Sequence, residues 1–268
     1  MLLITAIIWG FSFALQAQMA DKLEPFTIIF LKGFGGYIVI IYCLLTHKKF
    51  DKKSILVGSL IGILNGTGLL LQQIAFSKTD VSKVGFLTVL YVVFVPLILM
   101  FNHKKPKKQF WFGLVIACVG LYLLCLSETL SFASADLIAL FAAILFALQI
   151  ILIGKHSGNS DPFVLCGTQQ TATATMCAIA MFLTEDVRIS NFDGIWLQTL
   201  YVVFASGLIA YVLQNKYQGE VDTNVASLIM SLESVFGAIS GVIILHQMMS
   251  PREIVGSILI FISIIIAR

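Results

Sequence analysis

The sequence predicts an all-α membrane protein with about ten transmembrane helices, arranged as two inverted five-helix repeats. Three observations support this fold class: composition, the spacing of apolar runs, and a likeness between the two halves. Of the 268 residues, 59% are hydrophobic and 12% are charged. A soluble domain carries about 25% charged residues, because its surface must face water. The long apolar runs approach the ~20 residues that cross a bilayer.

Short polar breaks divide the chain into ten apolar runs. Examples are the breaks from Asp21 to Pro25, from Asn102 to Lys108 and from Ser250 to Glu253. These breaks are too short to hold a soluble domain. The predicted spans are 2–20, 26–46, 54–77, 81–101, 109–127, 136–154, 162–184, 194–216, 223–245 and 253–267.

The distribution of basic residues predicts the orientation, because cytoplasmic loops carry an excess of Lys and Arg. Ten lie in the loops after the even-numbered spans, and five lie after the odd-numbered spans. We therefore expect a multi-pass protein of the cell membrane with both termini in the cytoplasm. The ten are Lys48, Lys49, Lys52, Lys53, Lys104, Lys105, Lys107, Lys108, Lys155 and Lys216, and the five are Lys22, Lys78, Lys83, Arg188 and Arg252. The net charge of +3 is modest and gives no support for nucleic-acid binding.

The two halves of the chain, 1–130 and 131–268, resemble each other in order. A shift of 137 residues matches Trp9 to Phe146, and a shift of 142 matches Gln72 to Gln214 and Tyr91 to Glu233. Each half holds five spans, so the second half must enter the membrane from the opposite side. Inverted repeats of this kind are common in secondary transporters.

Polar side chains recur at helical spacing in several spans. Thr5, Trp9, Ser12 and Gln16 share one face of span 1, because residues three or four apart in a helix lie on one side. Polar groups in lipid need a partner or a wet cavity. They either line a shared cavity or form hydrogen bonds that hold the bundle together. The candidate substrate-binding residues are Trp9, Asn65, Gln72, Tyr91, Gln149, Tyr211 and Gln214.

Two ionisable residues fall well inside predicted spans. Glu233 lies about 15 Å from either end of span 9, and Lys32 lies about 9 Å from one end of span 2. A carboxyl at that depth must be protonated, paired or hydrated. Glu233 is therefore an ion-coupling or substrate-contacting group, a structural acid whose nearest candidate cation is Lys32, or a protonated acid that bonds to a neighbouring helix.

Motifs for metal, cofactor or enzyme chemistry are missing from the sequence. His47, His103, His156 and His246 sit at span ends without a second ligand at metal spacing. There is no glycine-rich phosphate loop, G-x-S-x-G or H-E-x-x-H pattern. We expect no metal site, no cofactor and no enzymatic activity.

Several motifs resemble the EamA-type branch of the drug/metabolite transporter superfamily. They are Trp9-Gly10-Phe11-Ser12-Phe13, the Pro25 that opens span 2, Phe86-Leu87-Thr88 to Val95-Pro96-Leu97, Ser231-Leu232-Glu233-Ser234-Val235-Phe236, and Gly256. The resemblance implies a secondary transporter with a central cavity between its halves, of a kind that often exports amino acids or other metabolites. Two residues depart from the pattern: Lys32 stands where many relatives have arginine, and Gln247 replaces a glutamate.

These observations lead to one main functional hypothesis. The chain moves a small polar or amphipathic solute, such as an amino acid-like metabolite, across the membrane by alternating access. The resemblance alone implies export and protons as the coupling ion. The expected partners are a small-molecule substrate and the lipid bilayer, and a homodimer is left open. The alternative is a non-transporting membrane scaffold or sensor built on the same bundle.

Overall fold

A computed structural model describes residues 1–76, 78, 81–101, 106–125 and 134–267. All regular secondary structure in these ranges is helical, which confirms the predicted all-α class. Lys104, Lys105 and His103, and the predicted boundary between the halves at residue 130, lie outside the described residues.

Ten helices, three of them interrupted, follow one another through the described chain. They are α1 (Leu2–Ala20), α2 (Pro25–Leu45), α3 (Lys52–Phe76), α4 (Val81–Val89 and Tyr91–Phe101), α5 (Lys108–Cys125), α6 (Ser134–His156), α7 (Pro162–Thr184), α8 (Trp196–Leu200, Tyr201–Ile209 and Ala210–Tyr217), α9 (Thr223–Met230 and Leu232–Leu245) and α10 (Pro251–Ala267). Eight of these stretches are long and apolar enough to cross a membrane. The exceptions are α7, whose 23 residues are too polar, and α10, which has 17 residues.

The helices of the two halves pack against one another in matching pairs. The most extensive contacts join α2 to α7 and α5 to α10. The contact of α1 with α9 has a counterpart in α6 with α4, and that of α3 with α7 has one in α8 with α2. Exchanging α1–α5 with α6–α10 therefore leaves these neighbours unchanged.

Small residues allow the closest helix contacts. A Cβ at Gly10 would overlap Phe236 of α9, and one at Gly36 would overlap the backbone of α7 at Thr171. Such contacts hold helices together in lipid, where van der Waals packing replaces the hydrophobic driving force. The glycines of α1 and α2 thus bring the first half close to the second.

Two helices are interrupted at nearly equivalent positions of the halves. α4 breaks at Leu90 and α9 breaks at Ser231. Beside the breaks, hydroxyl groups bond to carbonyls of the preceding turn: Thr88 to Val84 at 2.9 Å and Ser231 to Leu228 at 2.7 Å. Back-bonding of this kind bends helices.

The middle of α8 is π-helical. From Tyr201 to Ile209 the backbone has i→i+5 bonding, and the N–H of Ala210 donates to the carbonyl of Ala205. Such segments are rare and frequently occur at functional sites. Neither this segment nor the two interruptions was predicted from the sequence.

The ends of α2 and α7 are tied together by polar groups. The carboxylate of Glu185, after α7, accepts hydrogen bonds from the N–H groups of Phe26 (2.7 Å) and Thr27 (2.8 Å) and so caps α2. At the opposite end, Asp161 caps α7 and forms an ion pair with Lys48 at 2.7 Å. We call the end with Met1, Lys48 and Asp161 the terminus end, and the end with residues 21–24 the far end.

Candidate functional site

A small pocket lies at the centre of the bundle, between the two halves. Its volume is about 50 Å³, enough for a few water molecules and far below the 300–1,000 Å³ of ordinary ligand pockets. It must therefore widen to hold a metabolite. Its walls are formed by Trp9, Phe13, Lys32, Asn65, Leu69, Gln72, Tyr91, Phe146, Gln149, Ile150, Tyr211, Gln214, Met230 and Glu233.

One positive and one negative group line this pocket. The side chain of Lys32 on α2 is 4% exposed, and that of Glu233 on α9 is partly exposed. The two groups do not form an ion pair, because the amine nitrogen and the carboxylate oxygens are more than 4.0 Å apart. Instead, Glu233 accepts a hydrogen bond of 3.0 Å from the hydroxyl of Tyr91. Of the alternatives left open by the sequence, the direct structural pair is thus absent from the structure.

Tyr91 and Glu233 also mark the helix interruptions. Tyr91 is the first residue after the break in α4, and Glu233 is the second residue after the break in α9. Their hydrogen bond therefore joins the two interrupted helices at the pocket. A change in either break would move one of these side chains directly.

Trp9 and Tyr211 form an aromatic wall that rests on the π-helical segment. Their ring centroids are 5.0 Å apart. The indole N–H of Trp9 donates to the carbonyl of Ser206 at 3.2 Å, inside the π-helical turn. The hydroxyl of Tyr211 lies 3.0 Å from the amide nitrogen of Asn65 on α3. These bonds fix the rotation of α1, α3 and α8 around the pocket.

A chain of glutamines closes the pocket towards the terminus end. Gln149 donates to Gln214 at 3.2 Å, Gln214 donates to Gln218 at 3.0 Å, and Gln218 donates to the carbonyl of Ile150 at 2.6 Å. All three side chains are at most 3% exposed. Opening this end would require these buried hydrogen bonds to break or exchange.

Towards the far end, the described residues, which leave out 77, 79, 80 and 126–133, enclose two larger cavities. One cavity of about 500 Å³ reaches from Phe13 and Ala17 to the residues 21–25. A second, of about 350 Å³, lies between α1, α3, α4, α5, α9 and α10. Phe13 lines both cavities as well as the central pocket, and its side chain is only half-buried. Its ring therefore stands between the pocket and the far end.

The family model described as "EamA-like transporter family" matches residues 1–126 and 133–268. The chain belongs to the EamA-like transporter family. A protein of Archaeoglobus fulgidus named "Uncharacterized transporter" is 30% identical over 267 residues, which are 99% of this chain and 83% of that protein. A solved structure described as "Crystal structure of protein" is similar in fold, with a TM-score of 0.82 and 17% sequence identity. The match covers 99% of this chain and 94% of that chain. The last likeness concerns the fold alone.

The structure brings all nine predicted site residues of this EamA-like transporter to the same pocket. They come from α1, α2, α3, α4, α6, α8 and α9. Several of them also form hydrogen bonds between helices, so both interpretations of the polar faces stay open. Their part in binding a substrate stays a prediction. Ser12 and Gln16 do not line the pocket; the amide of Gln16 bonds to the hydroxyl of Ser12 at 2.6 Å within α1.

Sequence reasoning missed the apolar walls and one buried ion pair of the transporter. Phe13 lies four residues after Trp9, and Phe146 is the repeat partner of Trp9, so both were within reach of the spacing argument. Lys83 of α4 pairs with Asp136 of α6 at 2.7 Å, and Asp136 is 0% exposed. The sequence analysis counted Lys83 among the loop charges and did not single out Asp136, the first residue of predicted span 6. Among the described residues, no group of three His, Cys, Asp or Glu could hold a metal ion.

Proposed function

We propose that this chain is a secondary transporter that moves a small polar or amphipathic metabolite by alternating access through its central pocket. The direction is outward, and protons are the coupling ion. The single observation that carries the proposal is the pocket between the halves, with charged and amide groups at its wall and unequal closures at its two ends. A bundle that only held itself together would have no need to leave such groups around a shared space.

Equivalent residues of the halves support an inverted repeat around this pocket. With the shifts of 137 and 142, ten of the fourteen lining residues fall into repeat pairs. The pairs are Trp9 with Phe146, Phe13 with Ile150, Leu69 with Tyr211, Gln72 with Gln214, and Tyr91 with Glu233. The two ranges matched by the family model coincide with these halves. We infer ten crossings, with α1–α5 and α6–α10 as oppositely oriented units.

The unequal closures support alternating access. Among the described residues, buried glutamines close the terminus end, whereas the ring of Phe13 lies between the pocket and the large cavities of the far end. In an inverted repeat, the halves exchange conformations when the open end changes. We expect the opposite state to open the glutamine chain and to pack α1 and α3 more closely at the far end.

Counterflow in proteoliposomes tests the proposed function. Vesicles are loaded with a mixture of amino acids, nucleosides, polyamines or cationic drugs, and uptake of a labelled member is followed with and without a pH gradient. Counterflow of at least one compound, lost when Gln214→Leu blocks the closure, is the expected result. Intact, monodisperse protein that gives no counterflow with any class would contradict transport and favour the alternative of a scaffold or sensor.

Cysteine labelling tests the orientation. Single cysteines at Lys49 and at Asp193 lie at opposite ends of the bundle, beside α2 and in the segment before α8. With both termini in the cytoplasm, an impermeant reagent added to intact cells should label the cysteine at Asp193 and not that at Lys49. Labelling of both positions from the same side would contradict the inverted repeat.

A further inference from the structure

The side chain of Lys32 lines the central pocket. Among the described residues, the amine of Lys32 has no hydrogen-bond or ion-pair partner, although the residue is only 4% exposed. Burying a charge is costly unless a partner or water compensates it. A group of opposite charge brought by a ligand would supply that compensation.

The backbone at Lys32 is held from two other helices. Gln170 of α7 donates its amide to the carbonyl of Lys32 at 3.3 Å and to that of Gly207 at 3.0 Å. Gly207 lies in the π-helical segment of α8, and a Cβ there would overlap the carbonyl of Lys32. The position from which the amine reaches the pocket is therefore fixed before any ligand arrives.

The charges break the likeness between the halves. The repeat partner of Lys32 is Gln169, and the repeat partner of Glu233 is Tyr91. Each half thus contributes one charge where the other half has a neutral residue. Glu233 accepts a hydrogen bond from Tyr91, whereas within the described part of the chain the amine of Lys32 has no hydrogen-bond partner. Of the two groups, the amine is therefore the one that most needs a ligand group of opposite charge.

We propose that Lys32 determines the charge specificity of the pocket by binding a carboxylate of the substrate, with Glu233 facing a positive or donor group of the same molecule. This rests on the proposed transport function and narrows its substrate to zwitterions and carboxylates. Organic cations without a carboxylate would place a second positive charge near the amine of Lys32 and supply no negative group to bind it. A neutral residue in place of Lys32 should therefore raise the transport of such cations relative to that of carboxylates.

Matched compounds test the assignment in proteoliposomes. The probes are an α-amino acid, its methyl ester and the amine that lacks the carboxyl group, for a small, an aliphatic and an aromatic side chain. Wild-type protein should prefer the acids over their esters by at least about tenfold, the size of one charge-assisted hydrogen bond. Lys32→Met should lose this preference, and Lys32→Arg, which keeps the charge, should retain most of it.

The outcomes separate this proposal from the transport function. Flux of esters and amines equal to that of the acids in wild-type protein overturns the role of Lys32 and leaves transport intact. A full acid preference in Lys32→Met also overturns it. Should Lys32→Met fail to fold, the wild-type comparison and Lys32→Arg still decide. Absence of flux for every compound class, including those of the wider counterflow mixture, contradicts transport itself.

Discussion

The two halves of the transporter meet the pocket with equivalent positions but different chemistry. In the second half, Gln214 joins Gln149 and Gln218 in a buried chain. The equivalent residues of the first half are Gln72, Ser12 and Phe76, and they form no such chain: Gln72 bonds to Thr88 at 2.9 Å, and Phe76 lines the far-end cavities. Under the proposed repeat, the positions match, whereas the buried glutamine chain occurs in the second half and has no counterpart among the described residues of the first.

Glu233 and Tyr91 occupy matching positions, and replacing them should change substrate accumulation in a pH gradient to very different extents. This is the largest effect that we expect. A one-proton exchanger accumulates substrate about tenfold per unit of pH gradient, since one unit is worth about 1.4 kcal/mol. If Glu233 carries that proton, Glu233→Gln should fold, bind substrate and lose this accumulation. Lys32, Tyr91 and Tyr211 are the other titratable groups that line the pocket, so Tyr91→Phe serves as the matched control and should keep the gradient response. Unchanged accumulation in Glu233→Gln would end the coupling role.

Gly10 and Ala147 are equivalent positions with unequal room. A Cβ at Gly10 would overlap Phe236, whereas Ala147 already carries one and is fully buried. Gly10→Ala should therefore lower the free energy of unfolding by about 1–3 kcal/mol through overpacking. Thermal unfolding in detergent measures it, and Ala147→Gly is the comparison. Equal stability of Gly10→Ala and wild type would mean that α1 and α9 can separate without cost.

Replacing Gln214 should lower thermal stability more than replacing Gln72, and the difference should be smaller than that between the variants of Gly10 and Ala147. Gln214→Leu removes the acceptor of the Gln149 amide N–H and the donor to the side-chain oxygen of Gln218, at a cost of about 1–3 kcal/mol for each polar group that stays unsatisfied. Gln72→Leu removes one hydrogen bond to the hydroxyl of Thr88, and that hydroxyl keeps its own hydrogen bond to the carbonyl of Val84. We expect a larger loss of thermal stability for Gln214→Leu, together with faster reaction of a pocket cysteine from the terminus end. A larger loss for Gln72→Leu would reverse the assignment of the closure.

The smallest expected effect concerns the caps of α2 and α7. Burial raises the pKa of Asp161, but the hydrogen bonds from Lys48 and from the N–H groups of Phe163 and Val164 outweigh it and hold the pKa below its ordinary value. The hydrogen bond to Asp161 in turn raises the pKa of Lys48. The stability that Asp161 adds is thus present above its unfolded pKa and lost as the pH falls through the folded value. The contribution of Lys48 is present below its own unfolded pKa and lost as the pH rises through its raised folded value.

Asp161→Asn isolates the charge from the cap, because asparagine caps helices about as well. The variant should melt slightly below wild type at neutral pH, and the difference should vanish in acid. Glu185→Ala, which removes three hydrogen bonds to the start of α2, should cost more, about 0.5–2 kcal/mol. A pH-independent difference for Asp161→Asn would show that the ion pair with Lys48 adds no stability.

The sequence predicted the parts of this molecule that depend on local spacing. Helical spacing, the match between the halves and the two ionisable residues inside spans singled out nine residues that line one pocket, although Trp9 alone of the polar face of span 1 is among them. It could not predict features that depend on contacts between distant segments. Glu185 caps a helix 158 residues away, and the π-helical turn of α8 is bound by Trp9 and Gln170 from other helices. The interruptions at Leu90 and Ser231 have neither glycine nor proline at the break, so the sequence gives no signal that would predict them.

The polarity of α7 has a consequence for the synthesis of the protein. Gln169 and Gln170 are fully or almost fully buried, and with several threonines they make α7 too polar to count as a span on its own. A nascent segment of this kind partitions poorly from the translocon into lipid. Since α7 packs mainly on α2 and α3, which are made earlier, we expect it to enter the membrane only against them. A chain shortened to begin after α3 should leave α7 outside the bilayer, which makes the order of synthesis part of how the fold is reached.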